Sequence, residues 1–309
     1  MKNYFYIAPT GDGWRNLAID EHLLNTLEPG EMCLLLYINS NAVILGRNQN
    51  PWAECNLEKM REDEVQLVRR CTGGGAVFHD NGNLNYSFIA SDNRYDEARQ
   101  TGLILSALQN LGINAECSGR NDLTVDGKKF SGTAFCSRGG NRQHHGTLLV
   151  SADLTRLANY LTVSPLKLQA KGVKSVRSRV CNLNEIAPDI SVGEISERLK
   201  CAFAEEYGEI SVLEPDVHFL AGVDALYERN RSWAWQLGKA PDFDYVYENR
   251  LNFGMVRLCI NVREGLISEA TLYTDALDIE ISGRIEQKLL NSPFNLEQIP
   301  DILLAEHKD

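Results

Sequence analysis

From Arg69 to Asp80 the chain reads Arg-Arg-Cys-Thr-Gly-Gly-Gly-Ala-Val-Phe-His-Asp, and the glycines Gly73, Gly74 and Gly75 are the first residues with chemistry to offer. Lacking Cβ atoms, they let main-chain N–H groups come close to a ligand and turn toward anionic oxygens. Arg69 and Arg70 add positive charge beside them. A tight turn or a bulge would use the same residues. The segment contains neither G-x-G-x-x-G nor GK[ST] and lies between two expected strands, so it is neither a dinucleotide fingerprint nor a Walker loop.

A second segment runs Asn121-Asp122-Leu-Thr-Val-Asp126-Gly127-Lys128-Lys129-Phe-Ser-Gly. Asp-Gly between two apolar runs predicts a hairpin with a type I′ turn. Alternation along a strand sends Lys128 and Lys129 to opposite faces, so only one can face a pocket lined by that strand. An ammonium group fixed there would stabilise charge building on an α-phosphate and an attacking carboxylate; two exposed lysines on a hairpin are the alternative. Asp122 offers carboxylate oxygen to a hard cation, or heads an Asx-turn. Lys167, Lys171, Lys174, Arg177 and Arg179 form an acid-free basic stretch, suited to holding phosphate or to lying solvated in a loop.

These segments need elements to position them. The spacing of Leu17, Leu24 and Leu27 predicts a helix over 16–27 with Asn16 as N-cap, and the runs 33–39 and 42–46 predict a hairpin. A charged helix from Asn56 leads to the strand Val65–Arg70; another strand, Asn83–Ala90, follows the glycines. A helix over 96–111, the lysine hairpin, the strand His144–Val150 and a helix over 152–161 come next. Beyond Pro188, two stretches have period-3.6 apolar spacing. A break near Pro241 divides a domain over 1–241 from a small α+β unit over 248–309, built on a strand pair and two short helices.

A chain of 309 residues can hold two domains, and 43% hydrophobic with 24% charged residues is a globular composition. No apolar run is long enough to span a bilayer, and the start lacks a signal-peptide core. Eight cysteines without C-x-x-C pairs suggest neither zinc nor a disulfide framework, so the expected location is the reducing cytoplasm. A net charge of -11 argues against nucleic-acid binding through an overall basic field; any anion site is local.

The chain resembles the lipoate–protein ligase A family. The resemblance runs through RRCTGGGAVFHDNGNLNYSF, NDLTVDGKKFSGTA, HHGTLLVSADL, KGVKSVRSRVCNL and SWAWQLGKAPDF, in family order across nearly the whole chain. It implies an α/β fold of α+β character: a mixed-sheet catalytic domain shared with biotin protein ligases, plus the small C-terminal accessory domain. The implied reaction takes lipoate and Mg-ATP to lipoyl-adenylate and pyrophosphate, with octanoate as a further acyl substrate. The lipoyl group then passes to a lysine of a lipoyl domain, in E2 subunits of 2-oxoacid dehydrogenases or glycine cleavage H protein. Partners beyond these substrates, such as nucleic acid or a membrane, are not implied.

Carried over by position, Lys129 is the catalytic residue and also touches the nucleotide. Leu17, Glu21 and Tyr37, then Arg70, Thr72 and Gly73 to Gly75, then His145 and Thr147, are implied to hold lipoate. Gly75, Val77, Phe78, His79 and Asn83, with Asn121, Asp122 and Ala134, are implied to hold the nucleotide, and Asp122 to meet Mg²⁺. Lys171 to Arg179 resembles a loop that folds over the adenylate and excludes water. The accessory domain is expected to swing about 241–247 between activation and transfer.

Three rivals remain at this point. Cys71 sits inside the glycine segment and Cys136 lies just past the lysine hairpin, and acyltransferases related to the family on this fold use a cysteine thioester without ATP. A transferase needing preformed lipoyl-adenylate, or a non-catalytic lipoyl-domain binding protein, would keep the same pocket.

Overall fold

The computed structural model describes residues 1–119, 121–161, 180–237, 244–263, 265–295 and 298–305. Its strands are β1 Lys2–Ile7, β2 Glu31–Tyr37, β3 Asn41–Leu45, β4 Gln66–Arg69, β5 Val77–Asp80, β6 Asn83–Ser91 and β7 Glu116–Ser118. They continue with β8 Asp122–Val125, β9 Lys128–Arg138, β10 Asn141–Leu149, β11 Ser211–Val212, β12 Tyr245–Leu251, β13 Gly254–Arg263 and β14 Leu266–Thr274. Helices α1 Gly13–Thr26, α2 Pro51–Glu54, α3 Leu57–Glu62, α4 Glu97–Gln109 and α5 Leu157–Tyr160 precede α6 Val192–Tyr207, α7 Val217–Arg231, α8 Trp233–Gln236, α9 Ile281–Leu289 and α10 Ile299–Ala305.

The main sheet has eight strands in the order β11-β1-β2-β6-β10-β9-β8-β7. β1 pairs in parallel with β2 and β11, and the remaining pairs are antiparallel, so the sheet is mixed. Alternate side chains feed separate cores. Leu34, Leu36, Phe88 and Leu148 pack under α4 and α6, while Cys33, Leu35, Tyr37, Ile89 and Cys136 pack under α1 and α7. Central β6 is buried along its whole length although its residues alternate: Leu84, Tyr86 and Phe88 enter the core under α4 and α6, and Asn83, Asn85 and Ser87 lie on the opposite face.

Several sequence expectations change. The helix begins earlier, with Asp12 accepting from the amides of Trp14 and Arg15, because Asn16 is buried inside the helix and hydrogen-bonds elsewhere. The runs 33–39 and 42–46 do not form a hairpin: β3 leaves for a three-stranded sheet, β4-β3-β5, pairing parallel with β4 and antiparallel with β5. That second sheet carries the Gly segment between β4 and β5.

The helix expected over 152–161 shortens to α5. Caps at Asn56, Asp96, Ser191 and Asp216 start their helices by accepting main-chain N–H bonds. Toward the C-terminus, antiparallel β12-β13-β14 and α9 with α10 enclose a separate core of Val256, Leu258, Ile260, Ile281 and Ile285. The strand pair read from sequence is thus three-stranded, with β12 added. The break near Pro241 and the basic stretch 167–179 lie outside the described residues.

Candidate active site

Register across the main sheet gathers the polar residues on the face under α1. Tyr37 opposes Asn85, Asn85 opposes Thr147, and the Gly132 amide donates to Thr147 Oγ1 at 3.3 Å. Gly132 in turn opposes Asp122. One row further along, Ser87, His145 and Ala134 stand side by side, and then Ile89, Gln143 and Cys136. Directly opposed residues share a face.

A β-bulge settles which lysine joins them. Leu123 opposes Ser131 but Thr124 opposes Lys129, so Phe130 is an extra residue in β9. Phe130 sinks into the core under α4, and Lys129 moves to the Asp122 side. Its Nζ lies 2.6 Å from Asp122 Oδ1. The turn that starts β9 has φ of 51° at Asp126 and 71° at Gly127, as a type I′ turn requires. Lys128 is exposed. Asn121 is tied to the main chain of Thr133, donating to its carbonyl at 3.2 Å and accepting from its amide at 2.9 Å.

The glycine turn lies over the same face. Thr72 Oγ1 is 2.9 Å from His145 Nε2, and Cys71 Sγ is 3.8 Å from Gln143 Oε1. The Arg70 guanidinium donates to the carbonyls of Gly73 at 2.6 Å, Gly75 at 2.9 Å and Ile44 at 3.2 Å, fixing the turn from inside. Gly74 has φ of 94°. A Cβ at Gly46 would lie 1.9 Å from the Gly74 carbonyl oxygen, so neither backbone could approach the other with a side chain between them.

Arg69 holds the loop after β3 and the α8 segment together, donating to Gln49 O at 2.7 Å, Arg47 O at 3.0 Å, Trp235 O at 3.0 Å and Gln236 O at 2.8 Å. Trp235 returns a bond from Nε1 to Arg69 O at 3.0 Å. The S-W-A-W-Q motif is thereby joined to the arginine motif. Burial lowers both guanidinium groups to about 10, so both stay charged at neutral pH. Among the described residues neither has a carboxylate in ion-pair reach. Two buried cations held by carbonyls leave a positive potential that suits an anionic ligand.

The C-terminal segment rests on this turn. The Gly74 amide donates to Ala276 O at 2.9 Å, the Thr274 amide to Asn48 O at 2.9 Å, and Asn48 Nδ2 to Ile279 O at 2.9 Å. One of the amides expected to face an anion, that of Gly74, is therefore bonded to a protein carbonyl, while a Cβ on Gly75 would meet open space.

Other residues named from sequence have different surroundings. Leu17 is in the α1 core and Phe78 stacks near Tyr160, 5.3 Å between centroids, with the Arg156 guanidinium 4.7 Å from its ring. Val77 is partly exposed, and Asn83 is buried with Nδ2 on Asn85 Oδ1 at 3.2 Å. Glu21 is taken up by Arg229 at 2.6 Å and Arg138 at 2.8 Å. Burial would raise its carboxyl, but these bonds outweigh burial and hold it below the usual range. Tyr37 is buried beside Asp20 and Arg70, and burial drives its phenol well up.

Sequence reasoning missed Asp20, Asn39 and Gln143. Asp20 Oδ2 lies 2.9 Å from His145 Nδ1, extending the Thr72–His145 contact to α1. A signal existed: Asn16 and Asp20 are one helical turn apart on the stripe that also carries Leu17 and Leu24, where a polar pair needs a reason.

Cys71 and Cys136 are in contact. Interaction with Cys136 and burial raise the Cys71 thiol, and interaction with Cys71 lowers Cys136. Both are buried. Among the described residues no group of three His, Cys, Asp or Glu side chains is arranged to hold a metal. No helix among the described residues is long and apolar enough to cross a membrane.

The "Lipoyl protein ligase A/B catalytic domain" family matches residues 12–204, and "Bacterial lipoate protein ligase C-terminus" matches residues 240–307. Lipoate-protein ligase A of Psychrobacter cryohalolentis is 41% identical over 295 residues, 93% of this chain and 87% of that protein. The crystal structure of P. falciparum LipL1 in complex with lipoate superposes with a TM-score of 0.85 at 29% identity, covering 99% of this chain and 95% of that one. A lipoate-protein ligase A bound with ATP gives 0.67 at 27% identity, over 77% of this chain and 99% of that one.

Proposed function

The chain belongs to the lipoate–protein ligase A family, and from that premise we propose that it joins lipoate to ATP as lipoyl-adenylate, releasing pyrophosphate, and then acylates a lysine of a lipoyl domain. One observation carries the reading: Lys129 and the Gly73–Gly75 turn share a face of the sheet, linked through Thr147, His145 and Thr72. Relatives of the same fold hold lipoate and ATP, which supports both substrates here. Acceptors of the chemistry implied are the E2 subunits of 2-oxoacid dehydrogenases and glycine cleavage H protein.

Lipoate carboxylate attacks the α-phosphorus, and pyrophosphate leaves. Negative charge grows on the α-phosphate oxygens, where the Lys129 ammonium gains more in the transition state than in the ground state. Asp122 holds Nζ in place, and its second oxygen is the donor we assign to Mg²⁺, which would neutralise phosphate charge. Arg69 and Arg70 supply potential, and Arg70 fixes the turn rather than grasping the ligand. Among the described residues no side chain stands out as base for the acceptor lysine. Alignment beside a mixed anhydride supplies the rate, as effective molarity can remove roughly 7–11 kcal/mol of a barrier.

We assign residues 1–241 to catalysis and 248–309 to an accessory domain that leaves the glycine turn when the nucleotide binds. Cytoplasmic location fits eight free thiols.

The test is lipoate-dependent pyrophosphate release together with the mass of a lipoyl-domain acceptor. Lys129→Ala is expected to lose at least about 100-fold in activation, as when a transition-state charge partner is removed. Activity near the parent level would overturn the assignment.

A further inference from the structure

Helix α1 turns Asn16 and Asp20 toward the face that carries the site, and both are buried, at 0% and 2% exposure. Standing one turn apart, they lie one above the other. Each leads to an imidazole. Asp20 meets His145 directly, whereas Asn16 reaches His79 through Asn39: Asn16 Nδ2 is 3.0 Å from Asn39 Oδ1, and Asn39 Nδ2 is 3.0 Å from His79 Nδ1.

The direction of the second chain is set by groups that cannot reverse. Asn16 Nδ2 also faces the carbonyl oxygens of Thr10 at 3.1 Å and Ile38 at 2.8 Å, which only accept, so this atom is the amide nitrogen. Asn39 then presents its oxygen to Asn16 and its NH₂ to His79. Nδ1 of His79 is the acceptor, and the neutral ring carries its proton on Nε2. Burial, helped by Arg70, lowers this imidazole to about 3 and keeps it neutral at working pH. His79 is 4% exposed, yet Nε2 has no hydrogen-bond partner among the described residues. Native folds leave few buried donors unmatched, and such a donor marks a place where something else accepts.

We propose, resting on the ligase reading above, that the Asn16–Asn39 relay holds His79 as a fixed Nε2–H donor to an acceptor atom of the acyl ligand. Asn16 and Asn39 are then positioning residues, and His79 belongs to the acyl pocket rather than to the nucleotide site. Asn39 lies two residues beyond Tyr37, at the β2 side of the face. Lys129 is on β9, separated from β2 by β6 and β10, so the two ends of the row are three strand spacings apart, about 14 Å. An acyl chain with its carboxylate at Lys129 runs across Thr147 and His145 toward His79. Lys129 and Asp122, at 38% and 35% exposure, leave the solvent side to the polar nucleotide.

Two measurements on the full chain test this. Ring ¹⁵N spectra of labelled protein at pH 7.5 are expected to show His79 as the Nε2–H tautomer. In Asn39→Asp the new carboxylate draws the proton to Nδ1. Titration calorimetry with lipoate alone and with ATP alone gives the second. His79→Leu is expected to weaken lipoate about tenfold and ATP less than about twofold, the loss of one net hydrogen bond. His79→Gln, whose amide can donate from near the Nε2 position, is expected to recover lipoate affinity to within about threefold of the parent. An Nδ1–H ring in the parent overturns the relay without any substitution. Unchanged lipoate affinity in His79→Leu, or an equal loss for ATP, overturns the acyl assignment. A parent that binds neither lipoate nor ATP defeats the ligase reading instead.

Discussion

A single methyl at Gly73 probes how firmly the C-terminal segment is seated on the glycine turn. A Cβ there would lie 2.4 Å from the carbonyl oxygens of both Ala276 and Leu277, and 2.7 Å from the Leu277 carbonyl carbon. These are backbone atoms, so no rotamer change relieves the overlap. Gly73 lacks the positive φ of Gly74, so alanine at this position strains the contact and not its own backbone. Moving 276–277 away breaks the bond from the Gly74 amide and loosens those joining Asn48 to Thr274 and Ile279. At about 1 kcal/mol net for each, the seating weakens by up to about 3 kcal/mol, roughly 100-fold. Amide hydrogen exchange reads this directly: Gly74 and Thr274 are expected to exchange up to about 100-fold faster in Gly73→Ala. Protection in β6 and β10 stays as in the parent. Gly75→Ala is the control, since its Cβ would meet nothing within 4 Å. Retained protection at Gly74 and Thr274 would refute the seating.

On the proposed adenylate route, in which Lys129 supplies the transition-state charge and no thioester forms, Cys136→Ala is expected to stay within about fivefold of the parent in acceptor lipoylation; a loss beyond about 100-fold would favour cysteine chemistry. His144, held at about 3 chiefly by burial, and His79 both stay neutral in the fold, whereas an unfolded histidine protonates near 6.5. The unfolded state then binds more protons below pH 6.5, so stability falls on acidification from there toward the folded values, by up to about 1.4 kcal/mol per pH unit for each ring. Urea unfolding at pH 6.5 and 5 measures it, and His144→Gln is expected to flatten the slope by about one proton's worth; an unchanged slope would count against the assignment.

What sequence made legible follows from range. The Gly73–Gly75 turn, the Asp126-Gly127 hairpin and the caps at Asn56, Asp96, Ser191 and Asp216 are local events, decided within a few residues. The Lys128 and Lys129 alternation was legible too, but alternation left the pair open and only the family resemblance chose Lys129; the physical reason is the bulge at Phe130, which arises when a distant core takes up one extra ring. The supposed hairpin over 33–46 failed for a related reason. Short apolar runs do not say which strand they pair with, and β2 found β1 and β6 while β3 found β4 and β5. Asp20 and Asn39 gain their partners across 125 and 40 residues of sequence, beyond the reach of any periodicity.

Charge shows the same separation of scales. A chain of net charge -11 would repel a triphosphate if its field were uniform. Exposed carboxylates are screened within about 8–10 Å at physiological salt, so they contribute little at a buried site. Arg69 and Arg70 sit inside, bound to carbonyl oxygens with no carboxylate among the described residues in ion-pair reach, where the low effective dielectric lets their charge reach the turn. The acidic surface and the cationic interior are therefore compatible, and replacing a carbonyl-bound arginine would remove both the potential and the frame that shapes the glycine turn.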